Sequence, residues 1–267
     1  LALWLSTLID PHGEQLNRST LTFFQSLVGQ IMAMPHSERR LSSLLPLARQ
    51  TDAFLAASLE HFCIGGKYGT LFDTPEDNFT TDHLIGWDIK AWMGADETRI
   101  PLTGYLLHRL SAAVDGKPTI LVMDEGFDIL STPLFSGRAS KWCDYLAEKN
   151  TACILTTESI TTSAGYGFTS SIAQKAATIL ALPDADAEAE YAMGFGFSPE
   201  EVSTLAYIDS SKHHVLQKRG SEALVLNMHL GRLKPAILDT LSGKEKKQTL
   251  SPADQLAALM GLGARAV

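Results

Sequence analysis

Asp124 and Glu125 stand side by side at the end of an uninterrupted apolar run, Ile120-Leu121-Val122-Met123. Two carboxylates in that place suit two tasks. One is to hold a divalent cation through hard oxygen donors. The other is to take a proton from water as a general base. A strand buried on both faces opens at its C-terminal end into the crevice where α/β sheets bind ligands. Asp124 there suits a Mg²⁺ ion, reached through water, that bridges the phosphates of ATP, and Glu125 suits the base. A plainer reading stays open beside this one. Both acids would also favour the positive N-terminal end of a following helix.

A second apolar run, Ala152 to Thr156, ends in polar residues, with Thr157, Glu158 and Ser159 next. If the two runs pair in parallel, about 4.8 Å apart, their tips share one edge of the sheet. Thr157 and Glu158 then stand beside Asp124 and Glu125. An apolar strand ending in Asp-Glu is the Walker B pattern of P-loop ATPases. The matching phosphate loop, G-x-x-x-x-G-K-[ST], is absent. Gly66-Lys67 is followed by Tyr68, with His61 where the first Gly belongs. Gly243-Lys244 is followed by Glu245, with Leu238 at that place. Both read as plain turns.

The elements that must position these residues follow from periodicity. Residues 1–100 read as a helical subdomain. Leu1, Leu5 and Leu8 recur at helical spacing, as do Phe23, Phe24, Leu27, Val28 and Ile31, with Pro35 ending the pattern. Ser37 to Leu41 reads as a helix start and Thr51 to Phe62 as an amphipathic helix. Residues 101–243 read as the core. A helix through Tyr105 and Leu110 precedes the Asp115-Gly116-Lys117-Pro118 break and the acidic strand. A helix from Phe135 to Lys149 follows, then the second strand and a third from Ala176 to Leu182. Helices fit Ala185 to Met193 and Pro199 to Ala206, the latter with Ser198 as N-cap and Glu201 as its capping-box partner. Val215 to Lys218 and Ala223 to Met228 read as neighbouring strands. Residues 244–267 read as a solvated tail with one short helix, Pro252 to Leu262. Short apolar strands alternating with helices predict an α/β fold with a mostly parallel, doubly covered sheet.

The bulk numbers narrow the classes. The chain of 267 residues is 45% hydrophobic with net charge −8 and a pI near 5.5. Nucleic-acid binding leaves a basic footprint, and this chain has none overall. Three cysteines without a CxxC pair read as buried or free thiols of a reducing compartment. No apolar run reaches the roughly 18 residues of a membrane helix. The first residue is Leu1 rather than Met, which predicts a piece of a longer protein.

The order of motifs resembles the large ATPases of type IV secretion and conjugation systems. The resemblance rests on Arg39-Arg40-Leu41-Ser42, Gly66-Lys67-Tyr68-Gly69, Leu71-Phe72-Asp73, Asp77 and Gly86-Trp87-Asp88-Ile89. It continues through Tyr105 to Arg109, Asp115 to Pro118, Asp124-Glu125, Leu130, Pro133, Phe135, Leu182-Pro183, Tyr191, Leu216 and Leu241-Ser242-Gly243. It implies a RecA-like P-loop NTPase core behind an N-terminal helical subdomain, with the phosphate loop upstream of Leu1. It implies ATP and Mg²⁺ as cofactors and a homo-oligomer, commonly a hexamer. It also implies inner-membrane secretion components and other ATPases as partners. The place implied is the cytoplasmic face of the bacterial inner membrane, with peripheral association through those partners.

Two positions depart from the family pattern. Where the family carries Arg-Lys-x-Asn, with the Arg a candidate finger for a neighbouring subunit, this chain has Glu148-Lys149-Asn150. Where the family carries a Thr-Gln sensor, this chain has Thr157-Glu158. An ionised Glu accepts hydrogen bonds but donates none to a phosphate. Arg138 and Lys149 are then the nearest cations that would replace a finger. An assembly subunit with little hydrolysis is the alternative reading.

Overall fold

The computed structural model describes residues 1–14, 18–51, 53–76, 79, 83–132, 134–229, 231, 233, 235, 237 and 238. The sequence readings of Asp77, Pro133, Leu241 to Gly243 and the C-terminal tail lie outside these residues. The chain forms two compact units.

The first unit comprises Leu1–Asp115 and Thr132–Leu134. Its helices are α1 (Ala2–Thr7), α2 (Arg18–Ala33), α3 (Leu45–Thr51), α4 (Ala53–Glu60), α5 (Gly69–Phe72) and α6 (Asp96–Ala113). Leu5, Leu8, Phe24, Leu27, Ile31, Leu44, Leu59, Phe62 and Tyr68 share one apolar core. The 3.6-residue spacing of the leucines and phenylalanines puts them on the inward faces of α1 and α2. Ser37 and Glu38 lie in a 3-10 turn, and Leu41 precedes a second one, Ser42–Leu44, that runs into α3. Arg39 breaks the turn (φ −76°, ψ 79°), and its guanidinium donates to the Met34 and Met32 carbonyls at 3.0 and 3.1 Å. It serves the end of α2, where helical carbonyls lack partners. The helix before the acidic strand starts earlier than Pro101. That proline sits inside α6 and removes one intrahelical bond near its first turn.

Gly66 to Asp73 is a fixed turn. A Cβ at Gly66 would fall onto the Glu60 carbonyl oxygen. The buried Asp73 carboxylate accepts the Ser42 N–H at 3.2 Å and the Ile64 N–H at 2.8 Å. Lys67 is held by Glu97 at 3.1 Å and lies over the Tyr68 ring.

The second unit comprises Gly116–Ser131 and the described residues from Phe135 to 238. Its elements are β1 (Thr119–Met123), α7 (Gly126–Leu130), α8 (Ala139–Glu148), β2 (Thr151–Leu155), α9 (Ile160–Ala164), α10 (Thr169–Lys175) and β3 (Ile179–Ala181). They continue with α11 (Ala189–Phe195), α12 (Pro199–Tyr207), β4 (His214–Arg219) and β5 (Glu222–Asn227). β1 and β2 pair in parallel, from Thr119 opposite Thr151 to Met123 opposite Leu155.

The expected mostly parallel sheet is not what forms among the described residues. β1 and β2 make a two-stranded parallel sheet, and β3, β4 and β5 make a separate antiparallel one. The two residues Gly220-Ser221 between β4 and β5 allow only a hairpin, whereas a parallel pair needs a long crossover. Nor is β1 buried on both faces. Leu121 and Met123 face inward, but Ile120 is 71% exposed and Val122 60%. On β2, Ile154 shares that open face at 47%. α8 packs on β2 and covers only the other face.

The capping box forms as read. The Ser198 hydroxyl accepts the Glu201 N–H at 3.2 Å, and Glu201 accepts the Ser198 N–H at 2.8 Å. Glu201 also pairs with Lys218 of β4 at 2.6 Å, tying α12 to the antiparallel sheet.

Candidate functional site

Parallel pairing in this register carries Asp124 and Thr156, the next residues on the two strands, to the same sheet edge. The Thr156 hydroxyl donates to Asp124 Oδ1 at 2.6 Å. The Thr156 hydroxyl oxygen in turn accepts the Glu125 N–H at 3.2 Å. Backbone bonds extend the lock. Thr156 N–H donates to the Met123 carbonyl at 3.1 Å, and Gly126 N–H donates to the Thr156 carbonyl at 3.0 Å.

Glu125 takes the left-handed conformation, φ 52° and ψ 38°. For a residue with a Cβ this costs about 1 kcal/mol. The turn points the Glu125 carboxylate at β2, where it accepts the Glu158 N–H at 3.2 and 3.4 Å. Gly126 permits the close approach, since a Cβ there would meet Leu155 Cδ2 at 2.8 Å. The plainer reading holds in position, since both acids stand at the N-terminal end of α7, but not as a side-chain cap. Glu125 is the N-cap residue of α7 but makes no side-chain cap bond, and the Asp124 carboxylate is engaged by Thr156.

α7 is held from below by aromatic packing. Phe127 stacks on Phe168 at 6.4 Å and meets Phe195 edge-on at 5.5 Å. Tyr166 donates to Asp128 at 2.8 Å. The exposed acid edge thus rests on a buried aromatic layer.

The remaining residues singled out by sequence fall in different places. Thr157 and Glu158 stand at the tip of β2, as expected. The Thr157 hydroxyl, however, is 2.7 Å from that of Ser163 on α9 and donates to the Ser159 carbonyl at 3.3 Å. Arg138 is the N-cap residue of α8, its guanidinium over the Phe135 ring at 5.8 Å. Lys149 caps the other end of α8, with its ammonium over Tyr145 at 5.9 Å. Lys149 therefore precedes the start of β2, a strand length or about 16 Å from the acids. It is not part of their cluster. Thr156 was not singled out by sequence. The signal was present, because aligning the two apolar runs puts Thr156 opposite Asp124.

Asp124 and the Thr156 hydroxyl offer hard oxygen donors, which suit Mg²⁺ and its water shell. No group of three or more His, Cys, Asp or Glu that would hold a metal without further ligands occurs among the described residues. His213 and His214 do not share a strand. His213 takes a left-handed turn before β4, its ring 5.7 Å from that of His229.

The fold is that of a known secretion protein. A solved structure of VirB4 from Thermoanaerobacter pseudethanolicus matches 89% of this chain and 70% of its own, with TM-score 0.64 at 14% identity. Sequence relatives agree. The type IV secretion system protein PtlC of Bordetella pertussis is 29% identical over 254 residues, 91% of this chain. Conjugal transfer protein TrbE of Rhizobium radiobacter is 24% identical over 91% of the chain. The type IV secretion system protein virB4 of Bartonella quintana is 23% identical over 92%. No family model matches the chain. The relatives bear out the resemblance to the type IV secretion and conjugation proteins. The chain spans about a third of their length, 31% for PtlC. Among the described residues no helix is long and apolar enough to cross a membrane.

Proposed function

We propose that this chain is part of an ATP-hydrolysing motor subunit of a type IV secretion machine. The observation that carries the reading is the strand-tip lock, in which Thr156 holds Asp124 and Glu125 turns back to β2. Bound Mg·ATP would supply the phosphoryl group and the charge that its transfer develops. Asp124 would hold the ion's water shell, and Glu125 would take a proton from the attacking water. Thr157 and Glu158, just past β2, would stand on the γ-phosphate side, with the Thr157 hydroxyl already held by Ser163 and the Ser159 carbonyl. Arg138 and Lys149 are the cations available to a neighbouring subunit of a homo-oligomer, a hexamer in the family pattern. The phosphate loop belongs to chain outside these residues. The motor works at the cytoplasmic face of the inner membrane, held there by other secretion components.

A second reading is an assembly subunit that keeps the fold and hydrolyses little. Glu158, a carboxylate where the family carries Gln, favours it. One experiment separates the two. Steady-state ATP hydrolysis by the full-length protein is compared with that of Glu125→Gln. The motor reading expects a fall of at least about 100-fold, the usual scale of a lost general base. Equal rates at background level would establish the assembly reading instead.

A further inference from the structure

Two of the three cysteines come together at a helix–strand contact. On α8, Ala139, Trp142 and Leu146 are buried. Cys143 lies four residues after Ala139 and three before Leu146, on the same stripe. On β2 the inward residues alternate, and Cys153 sits between Thr151 and Leu155 on the face that α8 covers. The two thiols face each other there, close enough that each shifts the other's protonation. Both side chains are half-buried, so solvent reaches the pair. Beside it, an open cleft of about 620 Å³ is lined by Ser140, Ser171 and Lys175.

The surroundings set the order of reactivity. The interaction with Cys153 holds Cys143 below the usual thiol value, and the Lys175 ammonium adds to this, against burial and the Asp144 charge. Lys175 itself is fixed to the α8 surface, 2.7 Å from Asp144 and 2.8 Å from Ser140. Cys153 is raised, first by its interaction with Cys143 and then by its partial burial. Cys63 is far less reactive, because burial first, and then Asp73, push it up to about 12.

We propose that Cys143 and Cys153 form a dithiol modification site that low-molecular-weight disulfides of the glutathione class close into a protein disulfide. The Cys143 thiolate attacks one sulfur of the reagent; the reagent's S–S bond breaks, and its first thiolate leaves and takes a proton from water. Cys153 then gives its proton to solvent and attacks the Cys143 sulfur, and the second reagent thiol leaves. Two protein thiols are oxidised to one disulfide, and one reagent disulfide is reduced to two thiols. The closed bond ties α8 to β2 three residues before Thr156. In a reducing compartment the site stands open.

The test is a thiol map. The 267-residue chain is incubated with excess oxidised glutathione, the remaining thiols are alkylated, and the peptides are read by mass spectrometry without reduction. The expected result is a Cys143–Cys153 linked peptide, lighter by two hydrogens, with Cys63 alkylated. Cys153→Ser should instead hold a glutathione adduct on Cys143, and Cys143→Ser should slow adduct formation on Cys153 at least about tenfold. Three alkylated cysteines, a lasting adduct on unsubstituted Cys143, or a link to Cys63 would overturn the proposal. The map needs no ATP hydrolysis, so its failure is distinct from failure of the motor reading.

Discussion

The Thr156 hydroxyl lies 2.6 Å from Asp124 Oδ1, so the carboxylate at the tip of one strand is held by the hydroxyl at the tip of its neighbour. Thr156 positions Asp124 without being required to touch the nucleotide. Thr156→Val keeps the shape and removes the donor. In the full-length protein, hydrolysis should fall about 10–100-fold, the range for lost support behind a metal ligand. Thr156→Ser should restore most of it. The Mg²⁺ concentration for half-maximal rate should rise in the Val variant, a readout that a merely structural role would leave unmoved.

Glu201 does two jobs at once, closing the capping box of α12 and pairing with Lys218. The side chains of the ion pair are only 13% and 11% exposed. Glu201→Ala should cost about 3 kcal/mol, combining a lost cap with a stranded, largely buried ammonium. Lys218→Met should cost less, because the Glu201 carboxylate it leaves without a cation still accepts the Ser198 N–H and keeps the capping box closed. Chemical denaturation of the two variants checks the order.

The acid edge was legible in the sequence, and its setting was only partly so. Apolar runs with polar ends fixed β1, β2 and their shared edge, because a parallel pair of equal runs has one natural register. The open face of β1 was not legible. Ile120 and Val122 read the same whether a helix covers them or not. The hairpin of β4 and β5 had its signal in Gly220-Ser221, yet an alternation of helices and strands drew the reading toward one parallel sheet. The Arg39 turn was missed because its polar neighbours look like a helix cap, and only the guanidinium's reach to Met32 and Met34 shows otherwise.

That open face gives a prediction of its own. Val122→Thr on this chain should change stability by less than about 0.5 kcal/mol, since an exposed side chain loses little burial. Met123→Thr, one residue along on the buried face, should cost about 2–3 kcal/mol. Denaturation midpoints for the pair measure the two faces of one strand against each other. Equal losses would mean that the Val122 face is covered.

Acid sensitivity should localise to the Lys67, Tyr68 and Glu97 cluster of the first unit. The hydrogen bond from Tyr68, and then that from Lys67, hold the Glu97 carboxyl below its usual value of 4.5. A carboxyl lowered on folding contributes stability that is present above its unfolded value. That contribution is lost as the pH falls through the folded value. Glu97 is half-exposed, so the effect is modest and screened by salt. Thermal midpoints measured from pH 7 down to pH 3 should therefore fall less steeply in Glu97→Gln than in the unsubstituted chain below about pH 4.5. Added salt should narrow the difference between them. Parallel curves throughout that range would place the acid-sensitive groups elsewhere, with Asp96 next in order, since the Arg99 hydrogen bond lowers it in the same way.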